Sequence, residues 1–370
     1  MSSMTKIAVR TASVSYEVEI GVGLLAQVGA RVDALLGGGL TAGKQKAFVV
    51  TSPEIWKLWG ETLERGFRAP LTKLSVPAGE QYKRMATVER LLEELAAAGA
   101  DRDSILIAFG GGVIGDMTGF LAATYMRGIQ YVQVPTTALA QIDSSIGGKT
   151  GVNLAAGKNL AGAFYHPLAV YADIEVLKTL PAAELRAGLQ EAVKAGIIRD
   201  RALFDFMDAQ STAVLAGDAA ALSRVVADSV RMKAEVVSAD ERESGERRIL
   251  NFGHTIGHAL EAETNYRRLL HGEAVGWGMI AASVIGKEMQ VTDAATAQRI
   301  IALVQAYGPL PKVNVDGRRI LKRLLADKKT VGGVPHFVLA SGIGKVDVVN
   351  NVPARCVVRA VREINSQSKA

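Results

Sequence analysis

The chain has 370 residues, 49% hydrophobic and 22% charged, with a formal net charge of +6. That is the composition of a globular protein long enough for two domains, not of a disordered or fibrous chain. Its single cysteine, Cys356, excludes an intramolecular disulfide and any metal site built from several cysteines, and it fits a reducing, cytoplasmic setting. The positive balance favours small anionic ligands. No Lys/Arg block or basic-aromatic array points to nucleic acid, no uncharged apolar run reaches the roughly 20 residues needed to span a membrane, and the polar start Met1–Lys6 lacks the apolar core of a signal peptide.

The first half alternates strand-like and helix-like segments. Gly21-Val22-Gly23 reads as a turn. Phe48–Thr51 is a short apolar strand, followed by a helix-like stretch over 53–68 and a strand over 71–76. Met85, Val88, Leu91, Leu92 and Leu95 recur at helical spacing, and Ser104–Phe109 is a buried strand that runs into Gly110-Gly111-Gly112. Tyr131–Val134 and Ala169–Ala172 are further strands. This alternation implies an α/β domain with a mostly parallel, Rossmann-like sheet. Pro181 is well placed as a first helical residue, and helical patterning dominates beyond it. Ala274–Gly286 reads as a buried helix, and the apolar runs around Ser341–Gly344 read as a hairpin spanning Val334 to Val349. The boundary therefore falls near residue 180, with an α/β domain over 1–180 and an all-α domain over 181–370.

Gly110–Asp116 follows a strand and opens a helix. Glycine allows close backbone approach, and a helix N-terminus offers unpaired N–H groups to a nucleotide phosphate. The spacing is not Gly-x-Gly-x-x-Gly, so a tight strand–helix connection is the competing reading. Pro135-Thr136-Thr137 ends the next strand with two hydroxyls. Asp143–Thr150 and Gly157-Lys158-Asn159 then place glycines beside lysines, which suits anion contacts, although such pairs are also common in solvated loops.

Three of the five histidines lie between Asn251 and Glu273. His254 and His258 share a helix face at i,i+4 spacing, and His271 could fold back beside them. Two histidines, a carboxylate and an open position make a catalytic zinc site; two core histidines bonded within a bundle are the alternative. Thr255 stands where a metalloprotease helix would carry glutamate. Spacing alone does not choose among Glu191, Glu261 and Glu273 as the carboxylate.

Taken together and in order, Gly79–Lys83, Gly110–Asp116, Tyr125–Gly128, Pro135–Thr137, Asp143–Asn153, Gly157–Asn159, Glu191–Lys194, Asn251–His258, His271–Glu273 and Asp327–Lys329 resemble the 3-dehydroquinate synthases of the shikimate pathway, within the sugar-phosphate cyclases. The resemblance implies a dehydroquinate synthase-like fold, with an NAD-binding α/β domain, a helical domain, and the active site between them. It assigns zinc, with Co2+ as a plausible substitute, to Glu191, His254 and His271. This displaces the i,i+4 pairing and leaves His258, with Glu243, to move protons. For NAD it implies Glu80, Lys83, Gly112, Val113, Gly115, Asp116, Thr136, Thr137, Lys149, Lys158 and the segment Leu177, Lys178, Thr179. For a sugar-phosphate substrate it implies Arg127, Asp143, Lys149, Asn159, Lys194, Lys233, Arg247, Asn251 and one of Lys328 or Lys329. Of these, Lys149, Lys194, Arg127 and Asn251 also count as catalytic. The implied assembly is a homodimer. Asn153-Leu154-Ala155-Ala156 and Ala161 depart from the family pattern without touching an implied ligand. Arg127, Asn251 and His258 favour the dehydroquinate branch. The alternatives are another sugar-phosphate cyclase, or an NAD- and metal-dependent alcohol or polyol dehydrogenase of related fold.

Overall fold

The computed structural model describes residues 4–243, 245–264, 266–326 and 336–368. Lys328 and Lys329, with Val334 and Pro335 of the expected hairpin, lie outside the described residues. The chain divides into two compact units. One runs to Pro181 and takes in Leu222–Arg242, and the other comprises Ala182–Ala221 and the chain from Glu243 onward.

Up to Pro181 the described residues of the first unit form, in chain order, β1 (Thr5–Arg10), β2 (Ser15–Gly21), α1 (Val28–Leu35), β3 (Ala47–Thr51), α2 (Pro53–Glu64), β4 (Leu71–Ser75), α3 (Met85–Ala97), β5 (Ile105–Gly110), α4 (Gly112–Thr124), β6 (Gln130–Pro135), β7 (Lys149–Leu154), β8 (Gly157–Phe164) and β9 (Ala169–Asp173). Seven strands form one sheet in the order β1-β2-β9-β6-β5-β3-β4, parallel throughout except for the β1–β2 pair. The inner strands are apolar on both faces, as a sheet covered on both sides requires. Along β5, Ile105, Ile107 and Phe109 pack with Val28 and Val32 of α1 and Leu63 of α2. Leu106 points the other way, toward Val88 and Leu91 of α3 and Met117 and Leu121 of α4. Helix α2 starts where Ser52 accepts the Ile55 N–H and Pro53 takes the first helical position, where its missing N–H costs nothing.

Two features depart from the expectations. The β1–β2 pair has no expected counterpart, because Lys6, Arg10, Glu17 and Glu19 interrupt its apolar residues; yet Val9, Tyr16, Val18 and Ile20 are buried. The glycine–lysine segment read as a possible solvated loop is a hairpin, with β7 and β8 antiparallel around a turn at Ala155-Ala156.

The remaining elements are α5 (Ala182–Ile198), α6 (Arg201–Ala209), α7 (Ser211–Leu215), α8 (Ala219–Ala239), α9 (His254–Glu263), α10 (His271–Glu288), α11 (Ala294–Ala306), α12 (Gly317–Ala326), β10 (Phe337–Gly342), β11 (Lys345–Val349) and α13 (Ala354–Gln367). All but most of α8 belong to the second unit, whose described elements are helical apart from the β10–β11 hairpin. Helices α5 and α10 form its centre. Buried residues run through α5 from Ala187 to Ile198 and through α10 from Ala274 to Ala282, so neither helix keeps a polar face there. No helix among the described residues is long and apolar enough to cross a membrane.

One buried acid ties the first unit's strand ends together. Asp173, at the end of β9 and 3% exposed, accepts the N–H groups of Gly23 at 3.0 Å, Leu25 at 2.7 Å and Glu175 at 2.9 Å. Asp173→Ala would leave these donors without their partner. The expected loss is about 2–4 kcal/mol of stability, read from the denaturant midpoint. A change below about 0.5 kcal/mol would show that water replaces the carboxylate at no cost.

Candidate functional site

In the second unit, Glu191 lies in the middle of α5, while His254 and His271 are the first residues of α9 and α10. Their ligand atoms all lie within 4.8 Å of one another. The Nε2 atoms of His254 and His271 stand 3.6 and 3.5 Å from the same oxygen, Glu191 Oε1. The opposite ring nitrogens have other partners. His254 Nδ1 is 3.1 Å from the Phe252 carbonyl, so it carries the proton and leaves Nε2 with its lone pair. His271 Nδ1 is 3.4 Å from Glu261 Oε2.

Backbone contact brings these three residues together. A Cβ on Gly272, next to His271, would fall 1.7 Å from the carbonyl oxygen of Ala187, one turn before Glu191. A Cβ on Gly278 would fall 1.8 Å from the oxygen of Gly253, which precedes His254. Helix α10 therefore touches α5 and the start of α9 through bare backbone, at positions where any side chain would push them apart.

The donor set fits a divalent cation. Glu191 is 1% exposed, and neither of its carboxylate oxygens takes a hydrogen bond of good geometry, although the Lys194 ammonium is paired with Oε2. Burial works to raise the Glu191 carboxyl, but Lys194, His254 and His271 overcome it and hold it well below the ordinary carboxylate range. Burial, with Lys194, pushes His254 well below the ordinary imidazole value. An anionic carboxylate and a neutral imidazole are the forms that bind metal. Burial pulls His271 down, but the neighbouring carboxylates of Glu191 and Glu261 outweigh this and lift it to about 10. A cation would compete with that proton.

The other expected carboxylates and the third histidine have distinct places. Glu273 accepts the Leu270 N–H at 2.7 Å and caps α10. His258 sits one turn along α9, its ring edge-on to His254 at 5.2 Å and 5.9 Å from the ring of His271. His258, Glu261 and His271 form a second such set, with ligand atoms also within 4.8 Å of one another. Asn251 Nδ2 donates to Glu243 Oε1 at 2.9 Å, and Arg247, 1% exposed, lies on the short helix between them.

In the first unit, the carboxyl ends of β5 and β6 lie side by side, where open parallel sheets bind ligands. Thr136 N–H donates to the Gly110 carbonyl at 2.9 Å, which sets Thr136 and Thr137 against the Gly110–Gly112 turn. Gly111 is the N-cap of α4 and supplies no side-chain cap, while the buried Thr136 Oγ1 has no hydrogen-bond partner. Both observations fit a nucleotide phosphate at this helix start. Val113 follows in the first turn, and a Cβ on Gly115 would meet Gln133 Oε1 at 2.6 Å. Lys83 Nζ, 4% exposed as a residue, bridges Asp116 Oδ2 and Asn159 Oδ1, both at 2.5 Å. Asn153 continues the chain of bonds, donating to Glu80 Oε1 at 2.7 Å and accepting the Asn159 N–H at 2.9 Å. Lys158 precedes Asn159 on β8, and Lys149 begins β7. Lys233 Nζ holds the carbonyl and Oδ1 of Asp143, both at 2.7 Å. Asp143 lies in a π-helical turn, Ala140–Ser144, anchored by buried Gln141, which donates to the carbonyls of Pro135 and Asp173. Leu177, Lys178 and Thr179 occupy a 3₁₀ turn. There Leu177 is buried, Lys178 pairs with Glu175 at 2.9 Å, and Thr179 accepts the Trp59 indole N–H at 2.8 Å. Arg127 is exposed on a turn in which Met126, Arg127 and Gly128 all have positive φ.

Sequence reasoning left Glu261 as one possible ligand among three; its contact with His271 becomes visible only once α9 and α10 are packed. Gln141 and Gly272 gave no signal beyond their own types.

Residues 73–187 match the family described as 3-dehydroquinate synthase N-terminal, and residues 188–330 match its C-terminal counterpart. A 3-dehydroquinate synthase of Koribacter versatilis (strain Ellin345) is 50% identical over 98% of both chains. Among solved structures, ValA, a 2-epi-5-epi-valiolone synthase from Streptomyces hygroscopicus subsp. jinggangensis 5008 with NAD+ and Zn2+ bound, superposes with a TM-score of 0.87 at 29% identity, covering 96% of this chain and 98% of that one. A 2-deoxy-scyllo-inosose synthase complexed with carbaglucose-6-phosphate, NAD+ and Co2+ gives a TM-score of 0.85 at 28% identity, covering 97% and 100%.

Two predictions follow from the cluster. His271→Ala should purify metal-poor and nearly inactive, whereas His258→Ala should keep close to stoichiometric metal and lose about 10²–10⁴-fold in turnover. Metal analysis after dialysis checks both, and the opposite pattern would restore the i,i+4 pair. Gly272→Ala sets a helix-propensity gain of roughly 1 kcal/mol against a methyl placed 1.7 Å from a carbonyl oxygen. The clash should win, with metal content and melting temperature falling together. Parent values in both would show that α5 and α10 can separate without disturbing the cluster.

Proposed function

The chain belongs to the 3-dehydroquinate synthase family, and on that premise we propose that it converts 3-deoxy-D-arabino-heptulosonate 7-phosphate to 3-dehydroquinate and phosphate. It would act as a carbon–oxygen lyase of the shikimate pathway. The observation that carries the reading is the convergence of Glu191, His254 and His271, an open set of ligands of the catalytic type. The 50% identity to a curated synthase favours this branch over the cyclases met at 28–29% identity.

The proton at C6 of this substrate is not acidic until C5 is a ketone. A bound nicotinamide would supply the temporary hydride exchange at C5, and a divalent cation, zinc in our reading with Co2+ as substitute, would supply Lewis-acid polarisation of the oxygen there. Glu191, His254 and His271 would hold the cation. The Gly111–Gly115 turn, Thr136 and Thr137 would hold the cofactor phosphates, with Glu80, Lys83, Asp116, Lys149, Lys158 and the Leu177–Thr179 segment completing its site. Arg127, Lys149, Lys194, Lys233 and Arg247 would neutralise the substrate phosphate and carboxylate. Arginine offers a planar fork to an oxyanion, and lysine a point charge. Asp143, Asn159 and Asn251 would bond substrate hydroxyls. His258 would move a proton, and Glu243, hydrogen-bonded to Asn251, another. Elimination of phosphate, return of the hydride, ring opening and an intramolecular aldol closure complete the sequence. The homodimer and the cytoplasmic location belong to the same reading and rest on the family resemblance.

The test is incubation with the heptulosonate phosphate, following phosphate, dehydroquinate and NADH together. Phosphate and dehydroquinate should appear in equal amounts over many turnovers, with NAD+ in catalytic quantity and no net NADH. One NADH accumulating per product would mark a dehydrogenase instead.

A further inference from the structure

We propose that Glu261 is the positioning residue for His271: its carboxylate accepts the Nδ1 proton and so holds the ring with Nε2 turned toward Glu191 and the metal position. The inference rests on the reading of Glu191, His254 and His271 as the metal centre. It begins from an asymmetry between the two histidines. His254 has a side chain 12% exposed and a backbone acceptor, the Phe252 carbonyl at 3.1 Å, that no substitution removes. His271 stands at the very start of α10 with its side chain 31% exposed, so packing holds its ring less firmly. Its orientation needs a bond, and Glu261 is placed to supply one. Glu261 is 3% exposed, on the adjacent helix α9, with Oε2 3.4 Å from His271 Nδ1.

The two ring nitrogens of His271 thus face two carboxylates, Glu191 at 3.5 Å and Glu261 at 3.4 Å. One nitrogen carries the proton in the neutral ring, and the other offers its lone pair. The choice is decided by what else converges. His254 Nε2 is aimed at Glu191, not at Glu261, and the Glu191 oxygens take no hydrogen bond of good geometry. The lone pair of His271 therefore belongs on the Glu191 side, and its proton on the Glu261 side. A carboxylate behind a metal-bound imidazole fixes tautomer and ring plane and raises ligand basicity. The competing arrangement, with His258, Glu261 and His271 as the ligands, would make Glu261 bind metal directly.

The experiment uses the full chain with Zn2+ affinity measured by chelator competition, together with Co2+ titration followed by its visible absorption, for Glu261→Leu, Glu261→Gln and His271→Ala. Positioning predicts that Glu261→Leu weakens Zn2+ binding about 10–100-fold, while the metal-free form melts as the parent's does. Glu261→Gln, whose amide oxygen still accepts from Nδ1, should recover most of that affinity. The Co2+ band shape should be unchanged in both, because the ligands are unchanged. Parent affinity in Glu261→Leu would overturn the proposal, as would a changed Co2+ spectrum in Glu261→Gln, which would mark Glu261 as a ligand. If Glu261→Leu does not fold, Glu261→Gln alone decides through its affinity and its spectrum. His271→Ala separates the two levels. Lost metal there, with an indifferent Glu261, refutes only the positioning role; retained metal refutes the reading of the centre itself.

Discussion

The arrangement of the second unit depends on one steric constraint: α10 lies against α5 and against the start of α9 with no side chain in between. The virtual Cβ distances at Gly272 and Gly278, 1.7 and 1.8 Å, lie far inside any tolerable contact. Each site residue sits beside such a contact. His271 adjoins Gly272, Glu191 lies one turn beyond Ala187, and His254 follows Gly253. Packed interiors do not deform smoothly, so ligand positions set by touching backbones are set sharply. That precision suits a centre in which a displacement of about 1 Å can cost two orders of magnitude in rate. The same packing buries Glu191, a carboxylate that would be strongly disfavoured as an anion without Lys194 and the histidines around it. The cluster thus keeps Glu191 anionic, the form in which a carboxylate would bind a divalent cation.

The first unit solves a different problem. A parallel sheet apolar on both faces leaves its chemistry to the strand ends and their connections. Here those connections are tied down by buried polar residues. Asp173 and Gln141 hold the turns around β9 and β6, Lys83 joins Asp116 to Asn159, and Lys233 fixes Asp143. In the first unit Arg127 and Asn159, and in the second Glu243, hold left-handed backbone, with φ of 69°, 53° and 60°. Such a conformation costs roughly 1–3 kcal/mol at a non-glycine residue and persists only where the surroundings enforce it. All three are residues to which the family resemblance gives a role in substrate handling or proton transfer.

Much of this was legible in the sequence, for identifiable reasons. The strands Phe48–Thr51, Ser104–Phe109 and Tyr131–Val134 are apolar on both faces, so local pattern and tertiary burial agree, and the structure differs only by a residue or so at their ends. The β1–β2 pair hides because its sheet-edge position lets charged residues alternate with buried ones. The β7–β8 hairpin hides because its glycines and lysines carry a loop's composition. The ligand choice was beyond spacing for a geometric reason. Helical periodicity relates residues within one helix, and it correctly places His258 next to His254. It cannot report that another helix brings His271 to within 5.3 Å of the same ring.

That limit also explains why Glu191, Glu261 and Glu273 could not be told apart beforehand. All three are helical glutamates close in space to the histidines, yet each answers to a different partner: Glu273 to its own helix's first N–H group, Glu261 to the far nitrogen of His271, and Glu191 to the near nitrogens of two histidines at once. The distinction lies in direction, not in residue type or burial. A carboxylate facing a backbone N–H satisfies a helix end, and one facing an imidazole N–H fixes a tautomer. One facing two imidazole lone pairs is repelled by them unless a proton or a metal ion stands between. Of the three, only Glu191 faces two histidines, with the Lys194 ammonium paired to its other oxygen.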